Sequence, residues 1–319
     1  EGLSTMEDII KPDTRQAAFD RITAESTMEL ERLESESQKR IASSRSTVPL
    51  PSAIPQVSNW GVRVVKEMPL EVIFKHLNKN ELFRLSWGGK NTHGEEWVKL
   101  QADFEGRLAR MTDQALKDPW LVPQAVYGIW PAQSEGDDLI VYSPETGSIK
   151  PAKPIARFTF ARQLVGENLC LADYFASTES GIMDVVAFQV VTVGQAASER
   201  FERLQASADY TEAYFTHGLA VQTAEATADY LHKHICRELG IPVTQGKRYS
   251  WGYPAIPDIA EHRKVLDLLP AESELGMSLT SAFQLVPEQS TAAIIVHHPQ
   301  AKYFNIGESR IDQLMKGVG

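Results

Sequence analysis

The run Ser43-Ser44-Arg45-Ser46-Thr47-Val48-Pro49-Leu50-Pro51-Ser52-Ala53-Ile54-Pro55 constrains this chain more than any other stretch. Its three prolines fall within seven residues, remove three backbone donors and hold the chain extended, so no helix interior or central strand can pass through it. It reads as a stiff linker, and a domain boundary belongs there.

Ahead of the linker, residues 13–43 are charge-rich. Their apolar stripe is thin (Phe19, Ile22, Met28, Leu30, Leu33), and Asp13 can cap the start. This predicts one surface helix, or a helical strap needing a partner. After Trp60 the pattern becomes that of a mixed domain. Leu100, Phe104, Leu108, Met111 and Leu116 recur at helical spacing. Strands are expected at 126–130 and 139–142, joined by a polar turn at 133–138, and again at 156–160 and 185–193. A long helical region is expected over 199–239, broken near Gly218. Short strands are expected at 292–296 and 303–306, with a turn at His298-Pro299-Gln300-Ala301 between them. Hairpin-like pairs and helices in separate blocks predict an α+β fold: one large domain with a mainly antiparallel twisted sheet and flanking helices, plus a helical and extended N-terminal arm.

Composition narrows the function. Acidic side chains number 42 against 32 basic, a formal charge of −10, which repels nucleic acid and anionic membrane. The apolar share of 43% supplies a core, yet the longest apolar run, near 185–193, is far too short to span a bilayer. Two cysteines, Cys170 and Cys236, build no disulfide framework and suit a reducing cytoplasm. The chain begins with Glu1 in a stretch that resembles the interior of a domain, so it reads as a fragment or processed product.

Generic catalytic signatures are absent: no GxGxxG, P-loop, HExxH or GxSxG occurs. His232 and His234 stand two apart on a predicted helix and point to different faces, and His297-His298 alternate before a turn, so neither pair reads as a metal site. Asp137-Asp138 sits where turns favour Asp. The segment Arg248-Tyr249-Ser250-Trp251-Gly252-Tyr253-Pro254-Ala255-Ile256-Pro257 is harder to read as packing alone. A guanidinium can pair with a carboxylate, glycine allows close backbone approach, and tyrosine offers a flat face with a polar tip. Such a loop suits a small zwitterion or nucleoside, with Lys302-Tyr303-Phe304 as a second wall if the two segments meet.

That loop resembles the RPAxGYPAxP loop in the C-terminal activation domain of cobalamin-dependent methionine synthase. Five further matches follow the family's order: Trp130-Pro131-Ala132 with Gly136-Asp137-Asp138-Leu139, Cys170-Leu171-Ala172-Asp173-Tyr174-Phe175, Tyr230-Leu231-His232, Gly276-Met277-Ser278-Leu279-Thr280, and His298-Pro299 leading into Lys302-Tyr303-Phe304. The resemblance implies residues 1–44 as the tail of a cobalamin-binding domain and its exit helix, 45–59 as linker, and 60–319 as the activation domain. It implies a methyltransferase module that binds S-adenosylmethionine and caps a cobalamin held mainly by a domain outside this chain, so that cob(II)alamin is reductively methylated with an electron from a flavodoxin-like donor. The module would not suffice alone for methionine synthesis.

Carried over by position, Arg248 would bind the ligand's carboxylate, Glu225 would lie near its ammonium, and the backbone at Ser250 would touch the adenosine. Gly252 and Tyr253 would shape the loop, Tyr303 would contact the ligand, and Asn78 would stand where some members have Asp. Phe304 falls where another tyrosine often stands, and Ile259 where a histidine commonly follows. These departures motivate an alternative, a non-catalytic corrinoid-protein cap or electron-donor docking module that no longer binds S-adenosylmethionine. No side chain is expected to act as a catalytic acid or base. The expectation that ties the site together is that Arg248 and Tyr303 face one groove.

Overall fold

The computed structural model describes Gln16, Ala17 and residues 46, 48–51, 53–144, 153–163 and 166–307. The expected helix over 13–43 otherwise lies outside the described residues. Contacts divide the chain between Arg45 and Ser46, and the unit from Ser46 onward holds the elements below.

Its strands are β1 (Gly61–Val65), β2 (Gln124–Glu135), β3 (Asp138–Tyr142), β4 (Pro154–Thr159), β5 (Asp184–Thr192), β6 (Lys247–Ser250), β7 (Ser278–Leu279), β8 (Leu285–Val286) and β9 (Ser290–Val296). The helices are α1 (Leu70–Phe74), α2 (Gly94–Lys117), α3 (Gln195–Ala206), α4 (Tyr210–Glu238), α5 (His262–Leu268) and α6 (Ala271–Leu275), with short turns between. One sheet runs in the order β4-β3-β2-β5-β9-β6, with β1 also on β2, and β7-β8 form a small ribbon. Every pairing in both sheets is antiparallel, and helices flank the main sheet, as the blocks of strand and helix signals predict.

Alternation along the strands builds two cores. Val126, Trp130, Val186, Phe188, Val190 and Ile294 point to one face, beneath α5, α6 and the 169–176 segment. Ala125, Tyr127, Ile129, Val185, Ala187, Val191 and Ile295 point to the other, beneath α4 through Ala228, Leu231 and Ile235. All nine residues of β5 are buried, as a strand covered on both faces requires. A third cluster, with Phe83, Trp87, Phe104, Leu108 and Leu219, fastens α2 to the first half of α4.

Several local expectations need correction. The 199–239 region breaks between α3 and α4, where Ala208 has φ 61° and the Asp209 side chain accepts from the Glu212 N–H at 3.2 Å. It does not break at Gly218, which lies inside α4 against Trp87: a Cβ there would sit 2.8 Å from the indole Cδ1. Ala115 fills the last core position of α2, while Leu116 is exposed. The turn after β2 shrinks to Gly136-Asp137, because β2 continues through Glu135. Residues 303–306 form no strand and pass the loop as irregular chain. The His298–Ala301 turn is present, closed by Ala301 N–H donating to the His298 carbonyl at 3.0 Å.

The described part of the proline-rich run is fastened to the sheet. Ser46 Oγ donates to Asp173 at 2.6 Å, and His298 Nε2 lies 3.0 Å from the Pro49 carbonyl. Val48 packs on one core, Ile54 and Val57 on the other.

Candidate site at the β6 edge

Strand β6 leaves the turn after α4 and pairs with β9 through Arg248↔Ile295 and Tyr249↔Ile294. Alternation sends Tyr249 into the core beneath α5, and Arg248 and Ser250 toward α4. Arg248 Nη2 donates to Glu225 Oε2 at 2.8 Å. Its Nη1 is buried and finds no partner among the described residues. Guanidinium and carboxylate favour two parallel bonds, so this cation retains the capacity to take a second anion.

Tyr253 lies within the field of the pair. Its hydroxyl is pushed above the ordinary tyrosine value first by the charge of Glu225 and then by burial, while Arg248 opposes the shift and Glu81 adds to it. Gly252 makes this approach possible: it has φ +84°, its N–H donates to the Ile256 carbonyl at 2.8 Å, and a Cβ there would meet Ile259 at 3.2 Å. Ser250 Oγ lies 3.4 Å from Thr291 Oγ1. Asn78 is exposed and caps a single turn, Lys79–Glu81, by accepting from the Glu81 N–H at 3.2 Å. Through Glu81, that turn enters the field of Tyr253.

Tyr303 and Phe304 gather on Tyr249, with ring centroids at 5.3 and 6.4 Å. Tyr303 is 68% exposed. Ile306 N–H donates to the Pro254 carbonyl at 3.2 Å, which ties this segment to the loop. The structure therefore pairs Arg248 with Glu225 directly, and puts Tyr253 on the same cavity wall as Glu225. The expectation that Arg248 and Tyr303 face one groove is not met by a direct contact: Tyr303 packs on Tyr249, whose side chain leaves the opposite face of the pleat from Arg248.

A cavity of about 710 Å³ adjoins the group, walled by Glu225, Tyr253, Trp251, His262, Gln284 and Thr291. The wall from 284–291 and the one from α3 carry no motif of their own; the preceding Gly276–Thr280 match was the nearest signal. Behind Arg248, His232 Nε2 lies 3.3 Å from Cys236 Sγ. Burial and then the Arg248 charge hold the imidazole down at about 4, and burial pushes the thiol up to about 11, so both are neutral. Elsewhere Tyr127 reaches His234 and Glu238, at 3.1 and 3.0 Å. Among the described residues no cluster of three or more His, Cys, Asp or Glu could hold a metal ion, and no helix is long and apolar enough to cross a membrane.

The model of the family described as vitamin B12 dependent methionine synthase, activation domain, matches residues 88–316. The methionine synthase of Mycobacterium tuberculosis (strain ATCC 25618 / H37Rv) is 35% identical over 309 residues, which cover 84% of this chain and 26% of that protein. That of Mycobacterium leprae (strain TN) is 32% identical over 311 residues, 85% of this chain and 26% of that protein. The chain thus spans about a quarter of the length of these curated relatives. A crystal structure of the MetH reactivation domain bound to AdoHcy superposes with a TM-score of 0.70 and 27% identity, covering 86% of this chain and 89% of that one.

Proposed function

This chain belongs to the activation-domain family of vitamin B12-dependent methionine synthase, and from that membership we propose that it binds S-adenosylmethionine and serves reactivation of the enzyme's cobalamin. The observation that carries the reading is the Arg248–Glu225 couple with its unused guanidinium nitrogen. An α-amino acid presents a carboxylate and an ammonium, the complement of this couple. Arg248 would take the carboxylate and Glu225 the ammonium. The backbone at Ser250 and Gly252 would approach the nucleoside, with Tyr253 and Tyr303 as aromatic walls, Phe304 behind Tyr303, and the Asn78 amide at the rim. The AdoHcy in the solved relative, the same molecule without its methyl group, supports this choice of ligand.

When bound, S-adenosylmethionine supplies a methyl group on a sulfonium, already an excellent leaving group, and cobalamin supplies the metal that receives it. The chain's residues are thereby left to bind, orient and exclude water, and no acid–base dyad is required of them. The domain reading follows: residues 1–44 are the tail of a cobalamin-binding domain and its exit helix, 45–59 a linker, and 60–319 the activation domain. Its partners are the cobalamin-binding domain and an electron donor of the flavodoxin type, in the cytoplasm.

Isothermal titration of the folded chain with S-adenosylmethionine tests the reading. Binding is expected, and Arg248→Ala should weaken it by about 2–4 kcal/mol, because the carboxylate loses a charge-assisted partner. No heat at millimolar ligand, from a folded sample, would overturn it. In that case the departures at Phe304 and Ile259 favour a docking module that has lost ligand binding.

A further inference from the structure

Tyr249 stands where the family's loop pattern has proline, and its contacts give the substitution a purpose. We infer that Tyr249 is a positioning residue, holding Tyr303 at a fixed place at the β6 edge, across the strand from Arg248, for contact with the ligand. The inference rests on the functional reading above.

The segment after β9 has no ladder to hold it. It is fastened at separate points: Ala301 N–H to the His298 carbonyl at 3.0 Å, Gln163 Nε2 to the Asn305 carbonyl at 3.0 Å, and Ile306 N–H to the Pro254 carbonyl at 3.2 Å. The fastening adjacent to Tyr303 comes from the site's own strand, where the Tyr249 hydroxyl donates to the Lys302 carbonyl at 2.7 Å. The Tyr249 ring is only 3% exposed and meets the Tyr303 ring at 5.3 Å and 59°. Tyr303 itself is mostly exposed, and an aromatic side chain so open to solvent keeps one orientation only if something rigid braces it.

Tyr249 supplies that brace. A buried phenol whose acceptor moved away would be left unpaired, so displacing the 302–304 backbone carries a penalty. Burial holds the hydroxyl far above the ordinary tyrosine value, so it remains a donor throughout the physiological range. Because Tyr249 directly follows Arg248, one strand fixes the carboxylate anchor on one face and the aromatic wall on the other. A proline at this position has neither the hydroxyl nor the ring.

A double-mutant cycle on the full 319-residue chain, read by titration with S-adenosylmethionine, tests this. Tyr249→Phe should weaken binding about three- to tenfold, the range of one net hydrogen bond, with the unfolding midpoint changed little. Tyr303→Ala should also weaken it, and Tyr249→Phe added to Tyr303→Ala should cost nothing more, which a merely structural role for Tyr249 would not produce. Wild-type affinity in Tyr249→Phe, or additive losses in the double variant, would overturn the inference while leaving the functional reading intact. A wild-type chain that binds no ligand would overturn both.

Discussion

Arg248 stood out in the sequence because an arginine ahead of Gly-Tyr-Pro suits an anion, and the structure gives it Glu225. Glu225 was legible only through the family resemblance, since one acid on a polar helix face looks like any other. Tyr249 gave no such indication: its hydroxyl finds a carbonyl 53 residues further on, and local pattern cannot name that partner. His232 belongs to the same scale. Its pKa of about 4 lies below the ordinary value near 6.5, so the unfolded chain binds the proton more readily. The stability conferred by the neutral ring is complete above about pH 6.5 and drains as the pH falls toward 4, by about 3 kcal/mol at most. The charges that set this field are Arg248, Lys247 and Lys233 against Asp229. Urea unfolding at pH 7 and pH 4.5 should show the loss, and His232→Gln should flatten that part of the profile. An unaltered pH profile in the variant would remove His232 from the account.

Elements were read well where periodicity governs them and less well where distant partners do. The prolines kept helix and strand out of the run, and the described residues of 46–57 form neither, but its docking depends on Asp173 and His298, which lie 127 and 249 residues from Ser46 and Pro49. The gap between α3 and α4 was misplaced because a glycine normally marks a break, whereas Gly218 is there to let Trp87 approach. His298 links the strap to the turn after β9. Its Nδ1 accepts from the Gln300 N–H at 3.0 Å while Nε2–H serves the Pro49 carbonyl, so only the neutral ring makes both bonds. Burial lowers its pKa, Pro49 and Asp184 oppose that shift, and His297 reinforces it, so the Gln300 bond is present above the ordinary histidine range and lost as the pH falls, whereas the protonated ring goes on donating from Nε2 to Pro49. Hydrogen exchange in 48–57 should quicken in His298→Ala at pH 7.5 with β5 unaffected, while in the parent chain at pH 5.5 the Gln300 N–H, corrected for intrinsic rates, should quicken and 48–57 should not. Exchange in 48–57 that ignores the variant would show that the strap is held by Val48, Ile54 and Val57 alone.

At the scale of the whole molecule, the antiparallel sheet with flanking helices followed from paired strand signals and separated helix signals. The strand order did not, because β9 inserts between β5 and β6 from the far end of the chain. The 303–306 segment misled for a related reason: Tyr-Phe-Asn-Ile alternates like a strand, yet its chain is fastened to the loop at Pro254. At the end of the central strand sits a fully buried carboxylate, Asp184, which accepts from the Ala176 and Val185 N–H groups at 2.8 and 2.7 Å and pairs with His297 at 2.5 Å. It joins β5, β9 and the 176 segment, so Asp184→Ala should lower the unfolding free energy by about 3–5 kcal/mol in a denaturant titration. A loss below about 1 kcal/mol would mean that the surrounding apolar layers hold this corner unaided.

The four-residue length of β6 has an evolutionary corollary. Sliding it along β9 by a single position would turn the guanidinium into the apolar interior and the phenol out to solvent, exchanging anchor for brace. A change in the length of the turn between α4 and β6 is therefore tolerable only if it leaves this register unmoved. A substitution inside the strand is tolerable on the same condition, that residue 248 stays opposite Ile295.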